Sequence, residues 1–167
     1  MVAGLRRACY PTVMLARLKS LLAVPVSDSG ARRHAPDELH LAAAALLVEA
    51  AHQDAGYDAA ERALVDRLVR ERFGLDADEA EALLAAADEK VAAAVDLYGF
   101  TRRVKDAFDH DERVELVEML WQVVYADGEL HDHEANLLRR VAALLYVSDR
   151  ESGAARKRVL RKSRAVG

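Results

Sequence analysis

The sequence predicts an all-α protein, a bundle of two pseudo-repeated helical hairpins with intervening helices, and three observations carry that reading. Apolar residues make up 52% of the chain but aromatics only 5%, so the core must be built from Ala, Leu and Val, which suits close-packed helices better than sheets. From Pro36 onward those residues recur at spacings of three and four, the period of a helix with one face against a core. A shift of 73 residues also lays part of the chain over itself: Asp54 meets Asp127, Glu61 meets Glu134, Arg67 meets Arg140 and Asp76 meets Asp149, while Leu47, Leu64 and Leu68 fall on Leu120, Leu137 and Val141.

The elements follow in order. Met14 to Leu22 reads as a short amphipathic helix, with Leu15, Leu18, Leu21 and Leu22 on one side and Arg17 and Lys19 off it; Pro25 ends it. Val26 to His34 reads as a flexible linker, and Met14 is a second candidate initiator, in which case residues 1–13 lie outside the native protein. Pro36, Asp37 and Glu38 start a helix that carries Leu39, Ala42, Leu46 and Ala50 and ends near His52. Leu64, Val65, Leu68 and Val69 mark the next, closed by "FGLD". Asp76 caps a third, with Ala80, Leu83, Leu84, Ala87, Val91 and Val95 in helical register, and a fourth runs through Phe100, Val104 and Phe108. Val114, Val117, Leu120, Trp121 and Val124 give a fifth apolar face and Leu137, Leu138, Val141, Leu144 and Leu145 a sixth, with Trp121 and Phe108 read as core. The expected organisation is a basic N-terminal segment at 1–35, a helical domain at 36–150 and a basic C-terminal tail at 151–167 in which a last helix fades into solvent.

Composition removes several function classes. The single cysteine, Cys9, allows no intramolecular disulfide or thiolate metal site. The longest apolar run, Leu41 to Val48, is far short of the roughly 20 residues that span a bilayer, and Arg17 and Lys19 interrupt the faint signal-like stretch Val13–Val26, so cytoplasmic residence is expected. Charge is distributed unevenly. Residues 1–35 carry six Lys/Arg against one acid and residues 150–167 carry seven against one, while residues 36–149 hold eleven against twenty-six, a net of −15. The basic ends are solvated arms, or else they dock a protein partner, an anionic membrane surface or the acidic core itself. "ARKRVLRKSR", Ala155 to Arg164, has six positive charges and no aromatic, so stacking on nucleic-acid bases is unsupported.

The candidate chemistry lies in two acidic turns, "DAGYDAAE" and "DGELHDHE", each with a Glu seven residues after its first Asp. Helix capping explains part of this. Asp58 and Glu61 have capping-box spacing, and Gly128 suits a positive φ after the preceding helix. Capping does not explain Asp54 and Asp127, which follow the negative end of a helix dipole. If the turns adjoin, Asp54, Glu61, Asp127 and Glu134 bring about four negative charges together, which a hard divalent cation (Ca²⁺, Mg²⁺ or Mn²⁺) would neutralise. Glu129, Asp58 and His131 stand behind them as further candidates, and His52, His131 and His133 would bias the site towards Zn²⁺, Mn²⁺ or iron if they ligate. The spacing is not that of an EF-hand. Glu49 and His52 form an E-x-x-H pair, but the second repeat offers Gln122 and Tyr125 there, which argues against a di-iron bundle. No phosphate loop, G-x-S-x-G or Cys/His pairing occurs, so no enzyme is expected.

"YADGELHDHE", preceded by "LVEMLWQVV" and followed by "LLRRVAALL", resembles the tellurite resistance TerB-like family, whose signature is an Ala-Asp-Gly-Glu turn with a Glu seven residues after the Asp. The resemblance covers about His40 to Glu151, including "HLAAAALLVEAA" and "AVDLYGF". It implies an all-helical fold of two related halves, a proposed divalent metal site in the clustered acids, and a link to tellurite and other stress responses. Asp127, Glu129 and Glu134 match the pattern as they stand. The first half departs from it, with Asp54, Ala55 and Gly56 where the pattern has Asp-Gly-Glu, which implies weaker binding there. His131 stands where an Asp or Ser would cap, so that either Asp132 takes over as cap or the histidine touches metal. The residues themselves leave two outcomes: a non-enzymatic metal-binding module, or a helical adaptor whose acids only cap helices and whose basic arms dock a partner.

Overall fold

The computed structural model describes residues 37–52, 58–128 and 130–166, all within a compact unit spanning His34–Gly167. Seven helices and no strand occur among them: α1 (Glu38–Ala51), α2 (Ala59–Phe73), α3 (Ala77–Ala93), α4 (Tyr98–Ala107), α5 (His110–Val124), α6 (Asp132–Leu144) and α7 (Asp149–Val166). The all-α class expected from composition is the one observed. The expected N-terminal helix, linker and start position lie outside the described residues.

α1 is the axis of the bundle. Its sequence, ELHLAAAALLVEAA, is apolar on every side rather than on one stripe, and a helix of that kind must be surrounded. It packs against α2, α3, α4, α5 and α6, and every residue from Ala42 to Val48 is buried. The alanines at 42–45 are what allow several helices to reach it, because a methyl side chain keeps neighbouring backbones close while costing nothing in helix propensity. Asp37 starts α1 by accepting the Leu39 N–H at 3.1 Å, and the His52 N–H closes it on the Val48 carbonyl at 3.0 Å.

Around this axis, boundaries are set by side-chain caps. Asp76 with Glu79 and Asp109 with Glu112 form reciprocal capping boxes that start α3 and α5. α2 ends at Gly74, whose φ of 65° is open to glycine at no steric cost. The same left-handed position after α6 is filled by Tyr146 at φ 56°, with the Val147 N–H bonded to the Ala142 carbonyl at 2.9 Å. Tyr146 is held there while its ring stays exposed, with the Lys105 ammonium 5.6 Å from its centre.

Three expectations change. α3 stops at Ala93, because Ala94 is extended and the Asp96 carboxylate turns to cap the Tyr98 N–H at 2.9 Å, so Val95 is fully exposed rather than part of the α3 face. Leu144 is also exposed, and Leu145 takes the buried place. The chain after residue 150 is not a tail but α7, which packs on α5 and α6 and buries Ser152, Ala155 and Val159. Between its seven bases runs a narrow buried stripe of small side chains, one of them the polar Ser152.

Overpacking the axis tests this architecture. Ala44→Leu, at a fully buried position, is expected to destabilise the fold by about 1–3 kcal/mol in equilibrium denaturation, while Ala154→Leu on the exposed face of α7 leaves stability within about 0.5 kcal/mol.

Candidate functional site

The two acidic turns join α1 to α2 and α5 to α6. In the first, Gln53–Tyr57 lie outside the described residues, Asp54 among them. What is described is the helix start. Asp58 is the N-cap of α2 and accepts the N–H groups of Ala60 at 2.7 Å and Glu61 at 2.8 Å, while the Glu61 carboxylate accepts the Asp58 N–H at 2.9 Å. Both acids therefore do the work that the capping reading assigned to them, satisfying donors that a helix N-terminus leaves without intrahelical partners.

The second turn begins where α5 runs out at Tyr125. The Ala126 N–H bonds to Val123 O and the Gly128 N–H to Tyr125 O, at 3.0 and 3.1 Å, winding the chain through Asp127 into Gly128 at φ 87°. Glu129 lies outside the described residues. His131 then occupies the N-cap of α6, its N–H donating to Glu134 Oε2 at 2.8 Å, and Asp132 is the first helical residue rather than the cap. Glu134 is buried, with 5% of its surface exposed, whereas Asp127 and His131 are exposed.

Of the seven candidate ligands, the structure thus pairs Glu61 with Asp58 and sets Glu134 against His131, each within its own turn. Among the described residues no three His, Cys, Asp or Glu side chains gather where they could hold a metal ion. A complete ligand set drawn from the candidates would have to include Asp54 or Glu129. His52, at the end of α1, has its Nε2 3.5 Å from the Asp88 carboxylate on α3, which also takes Arg62 of α2 at 3.2 Å. His52 is thus tied to α2 and α3, whereas Glu49 lines a depression with His133, Asn136 and Arg140 of α6.

Sequence reasoning missed the seam that fixes the second turn from behind. Arg156 of α7 lies over the rings of Trp121 and Tyr125, its guanidinium carbon 5.4 and 5.6 Å from their centres, and donates its Nε–H to the Tyr125 hydroxyl at 2.7 Å. Trp121 donates to Ser152 Oγ at 3.1 Å in the buried interface. One turn back, Glu118 accepts from Arg158 at 2.6 Å and Lys162 at 3.0 Å; burial pushes its carboxyl up, and those two bonds outweigh it and hold the group below its ordinary value. At the far end His110 Nε2 meets Glu151 Oε1 at 2.6 Å, and Arg113 donates to the Leu145 carbonyl at 2.9 Å. These partners lie more than 30 residues apart in sequence, so no local pattern announces them.

A family model described as tellurite resistance protein TerB matches residues 40–157. The chain belongs to the TerB family. The match runs from α1 into α7 and takes in both acidic turns and the contacts of Ser152 and Arg156 with α5, while Arg158 and Lys162 lie beyond it. No match is found among curated proteins or among solved structures. In the described residues of this TerB-family chain, no helix is long and apolar enough to cross a membrane.

Two outcomes follow from this geometry. Asp58→Ala removes the cap of α2 and is expected to cost about 0.5–2 kcal/mol in urea denaturation. The Ser148 hydroxyl, the His110 ring and the Ser148 N–H hold the Glu151 carboxyl at about 2, below the ordinary 4.5. Because the folded value is the lower one, this stabilisation is complete above about pH 4.5 and fades as pH falls towards 2. Denaturation measured across that window should show wild type losing more stability than Glu151→Gln.

Proposed function

We propose that this chain is a non-enzymatic TerB-family module that binds a divalent cation (Ca²⁺, Mg²⁺, Mn²⁺ or Zn²⁺) at its acidic turns and works in a stress response of the tellurite-resistance kind, in the cytoplasm. The observation that carries the reading is Glu134: a carboxylate buried to 5% exposure on the turn that bears Asp127 and Gly128, inside the region matched by the family model. Carboxylate oxygens held in place on such a turn are the donors a hard divalent cation prefers. Asp54, Glu61, Asp127 and Glu134 are the first candidate ligands, with Glu129, Asp58 and His131 behind them.

The order of helices supports two related halves. Displaced by 73 residues, the bounds of α1, α2 and α3 become 111–124, 132–146 and 150–166, within two residues of those of α5, α6 and α7. An arrangement of that kind gives each half one acidic turn. Metal binding would neutralise the acids and stabilise the native arrangement by mass action.

A second reading is favoured by the caps themselves. Hydrogen bonds at 2.8–2.9 Å already employ Asp58, Glu61 and Glu134 at their own helix starts, as a metal-free adaptor would require. Titration separates the two readings. After chelation, the metal-binding module gains thermal stability with at least one of the four cations, and Asp127→Asn with Glu134→Gln abolishes that gain. A melting curve unmoved by all four cations supports the adaptor instead.

A further inference from the structure

α7 carries seven bases, and the fold divides them into two sets. Arg156, Arg158 and Lys162 are turned to the bundle and committed there, to Tyr125 and Glu118. The side chains of Arg150, Lys157, Arg161 and Arg164 are exposed, and none of them makes an ion pair or hydrogen bond among the described residues. At about 100° per residue these four fall within about 60° of one another, on the side of the helix opposite the buried Ser152, Ala155 and Val159. The stripe is about 21 Å long, from a rise of about 1.5 Å per residue, and no acid interrupts it: Glu151 is turned aside to Ser148 and His110.

We infer that this outer stripe of α7 docks the domain edge-on against an anionic lipid bilayer. Charge complementarity selects the partner. The residues at 36–149 carry a net −15, so a planar anionic surface attracts α7 and repels that acidic region. Nucleic acid fits less well, because the stripe holds no aromatic on which a base could stack, and a strand following a groove would run on into acidic surface. Exposed guanidinium groups suit the phosphates and carboxylates of headgroups, and with only Ala154 and Leu160 as apolar neighbours the contact is mainly electrostatic and lost at high salt. This inference is independent of whether the acidic turns hold a cation.

The test is co-sedimentation of the full chain with phosphatidylcholine vesicles, with and without phosphatidylserine, in low and high salt. The stripe predicts sedimentation only with phosphatidylserine, released by salt. Replacing all four bases (Arg150→Gln, Lys157→Gln, Arg161→Gln, Arg164→Gln) should weaken partitioning by on the order of several hundredfold, at about fivefold per charge near the surface. The single variant Lys157→Gln, with a far-UV spectrum and melting curve like wild type, should show about a fivefold loss and keeps the test valid if the quadruple variant misfolds. Three results overturn the proposal: no binding to phosphatidylserine vesicles, binding unchanged in these variants, or tighter binding to duplex DNA or single-stranded RNA that the same substitutions abolish.

Discussion

The bundle depends on one helix having no outward face. α1 gives up the polar stripe that a surface helix keeps, and its four consecutive alanines let α2, α3, α4, α5 and α6 all approach it. Close approach recovers dispersion contacts that a small side chain could not make across a wider gap. Everything that positions the acidic turns follows: the end of α1 fixes one turn, and α5, packed alongside it, fixes the other.

The turns themselves show how one residue type serves two ends. A carboxylate at the start of a helix is favoured by orphan N–H groups and by the positive end of the dipole. Those same factors hold Asp58, Glu61 and Glu134 in place, which is also the preparation a metal ligand needs. Capping and ligation are therefore not exclusive at a carboxylate with two oxygens. Asp127 stands apart, placed after α5 where no helix start calls for an acid.

The seam between α5 and α7 links this turn to the rest of the molecule. Tyr125, the last residue before Ala126 and Asp127, is gripped through its hydroxyl and its ring by Arg156. The end of α1 is held differently, through Asp88, whose carboxylate meets both His52 and Arg62. The two ends thus rest on different chemistry, one aromatic and cationic, the other a carboxylate shared by a histidine and an arginine.

The sequence by itself determined the helical class, most helix bounds and the caps, because those rest on interactions within a few residues: propensity, the three-and-four apolar spacing, Asp-x-x-Glu boxes and Gly74. It determined the family too, since the turn motif and its flanking helices are local text. Only the tertiary structure decided that Val95 is left outside the core and that the basic stretch after residue 150 is a packed helix. It also decided which of that helix's bases turn inward. The physical reason is range: Glu118 selects Arg158 and Lys162, and Tyr125 selects Arg156, across more than 30 residues of chain, and no periodicity in α7 marks which of its bases will find a partner.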